Sequence, residues 1–263
     1  LSTSEGGDIR RGITTGKNEF FYLDVDKIKH WGIEKEFFKP VIKSPKDSSG
    51  IRLKAEDLQF YAFLCHKDKS DLKGTNALRY IKWGESQKTK EGQVWSEVET
   101  VKGRKNWYEL PERSPGLLLL PRIIGKSPRC ILNTCEAQVD DDLFEISGDD
   151  EDALKGLGIY LNSGISFLQR ELIGRANLGD GALKIEGIDW ERILVPKKEN
   201  LLKLEKDAGK AFEKLCKRDV ADIQAESKKK DRIEFEKAIL ESLELPTELA
   251  EQILAAVVGL VEE

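Results

Sequence analysis

The sequence predicts an α+β protein: a strand-rich, mainly antiparallel region over residues 1–196, followed by a helical tail over residues 197–263. Two observations support this division. In the first region, short apolar and aromatic runs alternate with stretches rich in glycine, proline and serine, a pattern typical of short strands joined by turns. After Pro196, nearly all residues favour helix, with one proline, Pro246, and two glycines. We therefore expect one mixed domain with a helical extension.

The first half of the chain predicts strands joined by irregular segments. The run at 39–50 holds two prolines, three serines and one glycine, which favour a loop. Ala77, Tyr80 and Ile81 recur at helical spacing. In chain order we predict a strand, a glycine-rich turn and a strand over 8–25 with Phe20, Phe21 and Tyr22 in the second strand, a loop over 39–50, strands within 51–65, a helix over 76–83 capped by Asn76 and stopped by Gly84, and an exposed loop over 85–106.

The second half predicts three short buried strands and then helices. Acidic residues at 147–152 suit the start of a helix, because the unpaired N–H groups there favour negative charge. The predicted elements are strands at 117–120, 130–132 and 143–146, a helix from the acidic run to about residue 173, and helices at 199–226, 231–244 and 247–262, the last capped by Thr247.

The net charge of −5 conceals an uneven distribution. Residues 1–130 carry 25 Lys and Arg against 18 Asp and Glu, whereas residues 131–155 carry one against nine and residues 201–263 carry 11 against 15. This basic excess fits a nucleic-acid-binding face on the first half and a different partner for the remainder. An ordinary solvated surface explains the same numbers, so charge leaves both interpretations open.

Composition also indicates the setting of the protein. The four cysteines are scattered through a chain too large to depend on disulfides, so we interpret them as reduced thiols in a cytoplasmic protein. We expect no membrane association, since no apolar run approaches membrane-spanning length and no signal-peptide pattern is present. The chain begins at Leu1 and contains no methionine, from which we expect a fragment of a longer protein.

Several catalytic chemistries are disfavoured. The run from Gly12 to Asn18 is similar to a phosphate-binding P-loop, but it has three residues between its glycines instead of four. It also lacks Ser or Thr after Lys17, and a strand is predicted where a helix should follow. Two histidines give no basis for a catalytic triad, and one spaced cysteine pair does not complete a zinc site. The acidic runs at 140–142 and 149–152 could hold a metal, although a solvated loop and a helix cap are the favoured interpretation.

The segment from Arg11 to Phe21 resembles the segment that opens the recognition domain of TaqI-like N6-adenine DNA methyltransferases. That family pattern is a basic residue, any residue, Gly-Ile, any residue, Thr-Gly, any residue, Asn, two residues and Phe. Further similar segments follow in order at 38–42, 78–81, 106–110, 160–163, Gly174, 179–181, 193–196, 231–236 and 243–246. In the last of these, Glu244 stands where the family usually has a glycine between two leucines.

The resemblance implies a C-terminal target-recognition domain of a restriction-modification methyltransferase, with residues 1–196 recognising DNA and the helical tail bracing them. The chain has no Asn-Pro dipeptide and therefore no adenine-binding Asn-Pro-Pro-Tyr motif. It also lacks a glycine-rich loop for S-adenosylmethionine. The implied cofactor, S-adenosylmethionine, would belong to the missing catalytic domain, with none in this fragment. The implied partners are double-stranded DNA and the N-terminal methyltransferase domain of the same parent chain.

Two other functions remain open. Specificity subunits of type I restriction systems share the pattern at 160–196, so the chain could be a DNA-binding module of that kind. The helical tail could also make the chain a protein-interaction module. A nucleotide-hydrolysing enzyme is a distant alternative, given the three departures from the P-loop.

The resemblance and the loop chemistry together suggest DNA-contacting residues. Lysine and arginine in Gly, Ser and Pro-containing loops suit phosphates, which supply affinity without sequence information. Arginine and lysine suit guanine edges, and asparagine suits adenine. The phosphate-binding candidates are Arg10, Arg11, Lys17, Asn18, Lys43 and Lys46, and the base-reading candidates are Arg104, Lys105 and Asn106. Trp107 and Tyr108 are interpreted as core aromatics rather than base-stacking groups, and Asn162 with Ser163 as part of a helix packed on the sheet.

Overall fold

The computed structural model describes residues 7–174 and 182–262. The similar segment at 179–181 lies outside the described residues. The strands are β1 (Asp8–Arg11), β2 (Tyr22–Asp24), β3 (Phe38–Ile42), β4 (Phe60–Phe63), β5 (Leu118–Pro121), β6 (Ile123–Ile124), β7 (Ile131–Leu132), β8 (Gln138–Val139), β9 (Leu143–Ser147) and β10 (Leu183–Lys184). The helices are α1 (Asn18–Phe21), α2 (Val25–Trp31), α3 (Asn76–Ser86), α4 (Glu99–Lys102), α5 (Glu151–Leu161), α6 (Gly164–Ile173), α7 (Gly187–Trp190), α8 (Lys198–Cys216), α9 (Ile223–Glu226), α10 (Lys230–Ser242) and α11 (Leu249–Glu262).

Three sheets organise the described residues, and the α+β prediction is confirmed. One sheet has the order β1-β9-β5-β7 and the second has the order β2-β4-β3-β8, while β10 and β6 form a pair. Among the described residues, neighbouring strands are antiparallel except β3 and β8, which are parallel. The expectation of a mainly antiparallel architecture is therefore confirmed as well.

An aromatic core lies on the second sheet. The ring of Phe20 stacks on that of Tyr80 at 4.8 Å between centroids and lies 4.4 Å from the ring of Trp107. Trp107 and Tyr108 are 9% and 0% exposed, which confirms that they are core residues. Large rings provide much of the apolar burial here and hold the segment from Gly12 to Phe21 against the sheet.

The helical tail shares a core with the first sheet. Leu118 and Phe144 of that sheet cluster with Leu201 and Phe212 of α8 and with Phe235 of α10. Helix α8 packs on α5 and on α10. A Cβ added at Gly156 of α5 would lie 2.0 Å from the Leu201 carbonyl oxygen, so this crossing depends on glycine. The division at residue 196 stays a prediction, but the residues after it complete the hydrophobic core of those before it.

Asn162 and Ser163 separate two helices where one had been expected. The Asn162 side chain accepts from the backbone N–H of Cys130 at 3.0 Å and donates to the Cys130 carbonyl at 3.0 Å. Ser163 caps α6 by accepting from the N–H of Ser166. These bonds compete with helix continuation, so the predicted single helix to residue 173 is corrected to α5 and α6. Asn162 and Ser163 therefore lie between two helices and not within one, and Asn162 ties the end of α5 to Cys130, the residue before β7.

Several segments predicted as loops, and one predicted as a strand, have a different secondary structure. The 39–50 loop begins inside β3, because Pro40 restricts Lys39 to extended backbone and the strand continues to Ile42. Residues 18–21 form the helical turn α1 rather than a strand, so the helix missing from the P-loop comparison is present but only four residues long. The exposed loop at 85–106 contains a 3-10 turn, Trp95–Glu97, and α4. Trp95 is 8% exposed, and burial of its ring explains the order of this segment.

Helix boundaries also differ from the sequence predictions. Thr75, not Asn76, caps α3 by accepting from the N–H of Leu78. The helix continues through Gly84, where a Cβ would lie 2.7 Å from the Trp107 ring. This glycine therefore allows close packing instead of stopping the helix. In the tail, the predicted helix 199–226 ends at Cys216, and α9 follows as a separate turn.

None of the helices in the described ranges combines the length and apolarity that a membrane span requires.

Candidate nucleic-acid interface

The segment from Gly12 to Asn18 is held against the turn that joins β8 to β9. The N–H of Gly12 donates to the Leu143 carbonyl at 2.9 Å, and the N–H of Ile13 donates to the Val139 carbonyl at 2.6 Å. A Cβ at Gly12 would lie 2.0 Å from the Asp140 carbonyl oxygen. Gly12 is thus required for the two backbones to approach, and this contact positions the side chains on either side of it.

Two side chains of this segment bind one carboxylate. The guanidinium of Arg11 donates to the Asp141 carboxylate at 3.2 Å, and the hydroxyl of Thr14 donates to the same carboxylate at 2.8 Å. Arg11 is exposed. An exposed ion pair of this kind is weak, so a phosphate could replace Asp141 as the partner of Arg11.

Arg104 reaches the same segment from the far end of the aromatic core. Its Nη2 donates to the carbonyl oxygens of Thr14 at 3.1 Å and Thr15 at 2.8 Å, and its guanidinium lies 5.2 Å from the centroid of the Phe21 ring. Its Nη1 is buried and has no hydrogen-bond partner among the described residues. A candidate base-reading residue therefore lies half-buried next to the candidate phosphate-binding segment.

The other phosphate-binding candidates near this segment already have partners within the protein. Arg10 donates to the Glu145 carboxylate at 3.0 Å, and that carboxylate is 1% exposed. Lys17 lies 5.0 Å from the Trp95 ring centroid, and its side chain is 15% exposed. Asn18 is exposed, and its side-chain oxygen accepts from the hydroxyl of Thr15. Their roles in phosphate binding stay predictions, but the structure gives Arg10 and Lys17 structural partners.

Lys43 and Lys46 lie on a second loop close to the same acidic turn. The ammonium of Lys43 lies 3.7 Å from the Phe60 ring centroid and 5.7 Å from that of Tyr22, whose hydroxyl donates to Asp140. Lys46 is exposed and lines a cavity of about 720 Å³. Asp142 lines the same cavity. The acidic turn 140–142 therefore lies between the two predicted phosphate-binding loops.

The turn itself is less solvated than expected. Asp140 is 5% exposed, and burial raises the pKa of its carboxyl group. Oxygens of Asp140, Asp141 and Asp142 lie within 4.8 Å of one another. Tyr22 engages Asp140, while Arg11 and Thr14 engage Asp141. The favoured interpretation as a solvated loop is corrected for Asp140, and the turn acts as a support for both loops.

Lys105 and Asn106 lie apart from this arrangement. Both bind Asp68, with the Lys105 ammonium at 3.2 Å and the Asn106 amide at 2.9 Å from its carboxylate. Asn106 also donates to Glu109. The structure therefore brings only Arg104 of the three base-reading candidates to the Gly12–Asn18 segment.

Sequence reasoning missed three residues that the structure places here. Thr14 was not selected, because a single threonine in a loop carries little signal. Lys126 and Arg129 also line the cavity beside Lys46, and Arg129 donates to the carbonyls of Pro45 and Ser48. The stretch between β6 and β7 contains Gly, Ser and Pro residues like those of the loop that carries Lys43. The same criterion would therefore have selected Lys126 and Arg129 from the sequence.

The chain shares its fold with restriction-modification enzymes. The type IIG restriction endonuclease BpuSI superposes with a TM-score of 0.63 and 15% identity, over 96% of this chain and 30% of that one. The type IIL restriction-modification enzyme MmeI, solved in complex with DNA, superposes with a TM-score of 0.60 and 11% identity, over 99% of this chain and 36% of that one.

Sequence comparison defines the family. Residues 1–233 match the model of the C-terminal domain of the type II methyltransferase M.Eco57I, and the chain belongs to that family. The type II methyltransferase M.AccI of Acinetobacter calcoaceticus is 30% identical over 111 residues, which are 40% of this chain and 19% of that protein. The chain thus spans well under half the length of M.AccI, BpuSI and MmeI. The resemblance to C-terminal domains of restriction-modification methyltransferases is confirmed.

One departure from the family pattern has a structural signature. Glu244, which stands where glycine is usual, has a φ of 59°, in the left-handed region that favours glycine. Glu244 therefore adopts a backbone conformation in which glycine would be favoured.

Proposed function

We propose that this chain recognises a DNA target for an N6-adenine DNA methyltransferase of which it forms the C-terminal part. The observation that carries the proposal is the bond from Arg104 to the carbonyls of Thr14 and Thr15. It joins a side chain suited to guanine edges to a segment that presents Arg11 for phosphate. Family membership supports the methyltransferase context.

The proposed division of labour follows from these contacts. Arg11, Lys43 and Lys46 bind phosphates on either side of the acidic turn, and Arg104 reads a base edge. S-adenosylmethionine and the adenine pocket belong to the N-terminal methyltransferase domain of the parent, which the chain helps to position on DNA. The target adenine then leaves the duplex for that pocket.

Salt dependence of DNA binding tests this proposal. The chain is expected to bind duplex DNA with an affinity that falls steeply as salt rises, because each phosphate contact releases counterions. The three contacts by Arg11, Lys43 and Lys46 should contribute about −3 to the slope of log affinity against log salt concentration. Fluorescence anisotropy with a labelled duplex measures this slope. Absence of binding at low salt would contradict DNA recognition by this chain.

Substitution of Arg104 tests the assignment of base reading. Arg104→Ala is expected to weaken binding to a target selected from a randomised duplex library by about 1–3 kcal/mol, while binding to unrelated duplex changes less. Lys105→Ala is the matched control, since Lys105 is adjacent, exposed and bound to Asp68. Arg104→Lys keeps the charge but loses the planar guanidinium. It should therefore restore only the salt-dependent part of the DNA affinity and not the preference for the selected duplex. Equal losses for Arg104→Ala and Lys105→Ala would contradict the assignment.

A further inference from the structure

Helix α8 carries a row of lysines on its solvent side. Lys206, Lys210 and Lys214 of α8 and Lys217, which follows its last residue, recur at helical spacing, and all four are exposed. We call this row the lysine stripe. The buried residues of the same helix, among them Leu201, Leu204, Ala208, Phe212 and Leu215, face the core. At 1.5 Å per residue the stripe is about 16 Å long, which is close to the rise of five nucleotides of one DNA strand at about 3.4 Å each.

The stripe is only lightly neutralised. Lys214 pairs with Glu234 at 3.0 Å, and both side chains are more than 40% exposed. Within residues 7–174 and 182–262, no carboxylate lies within ion-pair distance of Lys206, Lys210 or Lys217. Since exposed ion pairs contribute little, the stripe presents a positive face although the tail as a whole is acidic.

The groove beside the stripe suits a polyanion better than an apolar segment. This groove, of about 740 Å³, lies between α5 and α8. Its apolar floor is hardly accessible, because Leu132, Ile159 and Phe212 are 8%, 2% and 4% exposed. Three carboxylates line it: Glu213 is paired with Arg52, Glu151 is paired with Lys155, and Glu205 is the third. Five lysines and Arg52 outnumber these carboxylates, so the lining carries a net positive charge.

The stripe leads directly to the loop that carries Lys46. After α8 ends, Asp219 forms a β-bridge with Gly50 and accepts from the hydroxyl of Ser49 at 2.6 Å. The N–H of Val220 donates to the Ser49 carbonyl at 2.9 Å. Ser49 and Val220 line the same cavity as Lys46. The end of the stripe is therefore adjacent to the predicted phosphate-binding loop.

From this geometry we infer that the lysine stripe binds the phosphate backbone of the same DNA duplex, extending the interface onto the helical tail. The inference rests on the proposed function. It changes the role of the tail, which binds DNA as well as bracing the recognition region. Because lysines contact phosphates without reading bases, the stripe adds affinity and salt dependence but no sequence preference.

A triple substitution tests the inference on the full 263-residue chain. Lys206→Gln/Lys210→Gln/Lys217→Gln is expected to make the salt slope shallower by about three, at roughly 0.9 per phosphate contact. Sequence preference and thermal unfolding should stay unchanged, since all three side chains are exposed. The slope is measured with a duplex of unrelated sequence, and the preference with a library-selected duplex.

The control carries the same change in charge elsewhere. Lys29→Gln/Lys35→Gln/Lys73→Gln alters three exposed lysines outside the stripe and outside both predicted DNA-binding loops. A loss of slope in this control equal to that of the stripe variant would overturn the inference, as would an unchanged slope in the stripe variant. In the latter case DNA binding by the unsubstituted chain would leave the proposed function standing. Unchanged DNA binding together with weaker binding to the parent methyltransferase domain would assign the stripe to a protein partner instead. If the unsubstituted chain binds no DNA, the proposed function itself fails.

Discussion

Glu236→Ala is expected to lower the free energy of unfolding by about 3–5 kcal/mol, because it leaves a buried guanidinium without its carboxylate. Glu236 and Arg232 are 1% and 4% exposed and pair within α10. The Glu236 carboxylate also accepts from the N–H of Gly164 at 3.0 Å, and Arg232 donates to the Asn162 carbonyl at 2.8 Å. The pair thereby joins the tail to the start of α6. Equilibrium unfolding in urea measures the loss.

A substitution two residues away provides the control. Glu234 is on the same helix, pairs with Lys214 and has a side chain that is 42% exposed, so Glu234→Ala should change the free energy of unfolding by less than about 1 kcal/mol. Burial raises the pKa of Glu236 despite the neighbouring Arg232, which indicates that the charged carboxylate is costly to bury. Arg232→Met/Glu236→Met should therefore be less destabilising than Glu236→Ala. If Glu236→Ala behaves like Glu234→Ala, the tail is not integral to the fold.

Gly12→Ala is expected to lower the free energy of unfolding by about 3 kcal/mol and, on the proposed function, to weaken DNA binding. The added Cβ would lie 2.0 Å from the Asp140 carbonyl oxygen and 2.7 Å from that of Val139, so backbone must move. That movement separates Arg11 and Thr14 from Asp141. Thermal unfolding and fluorescence anisotropy measure the two effects.

Gly103→Ala is the matched control for Gly12→Ala. Gly103 has a φ of −80°, and a Cβ there has no heavy atom within 4 Å. Its substitution should therefore change the free energy of unfolding by less than about 1 kcal/mol. Unfolding of the Gly12→Ala variant at the temperature of the unsubstituted chain would contradict the close approach of the two backbones.

Elements that depend only on the hydrophobicity and helix propensity of neighbouring residues could be predicted from the sequence. The apolar runs that became β5, β7 and β9 and the helix formers after Pro196 were recognisable because burial follows directly from composition over a few residues. Segment boundaries were less predictable. Gly84 was expected to stop a helix, yet its role is to admit the Trp107 ring, a neighbour 23 positions away in the chain.

The sequence by itself determined the α+β class, the similarity to a family of methyltransferase C-terminal domains and a set of candidate DNA-binding cations. The tertiary structure decided which of those cations lie together. Arg104 and Lys105 are adjacent and chemically similar, yet one reaches Thr15 and the other Asp68. Thr14 and Asp141 are 127 positions apart. Contacts over such separations depend on how the sheets pack, so no local pattern in the chain could reveal them.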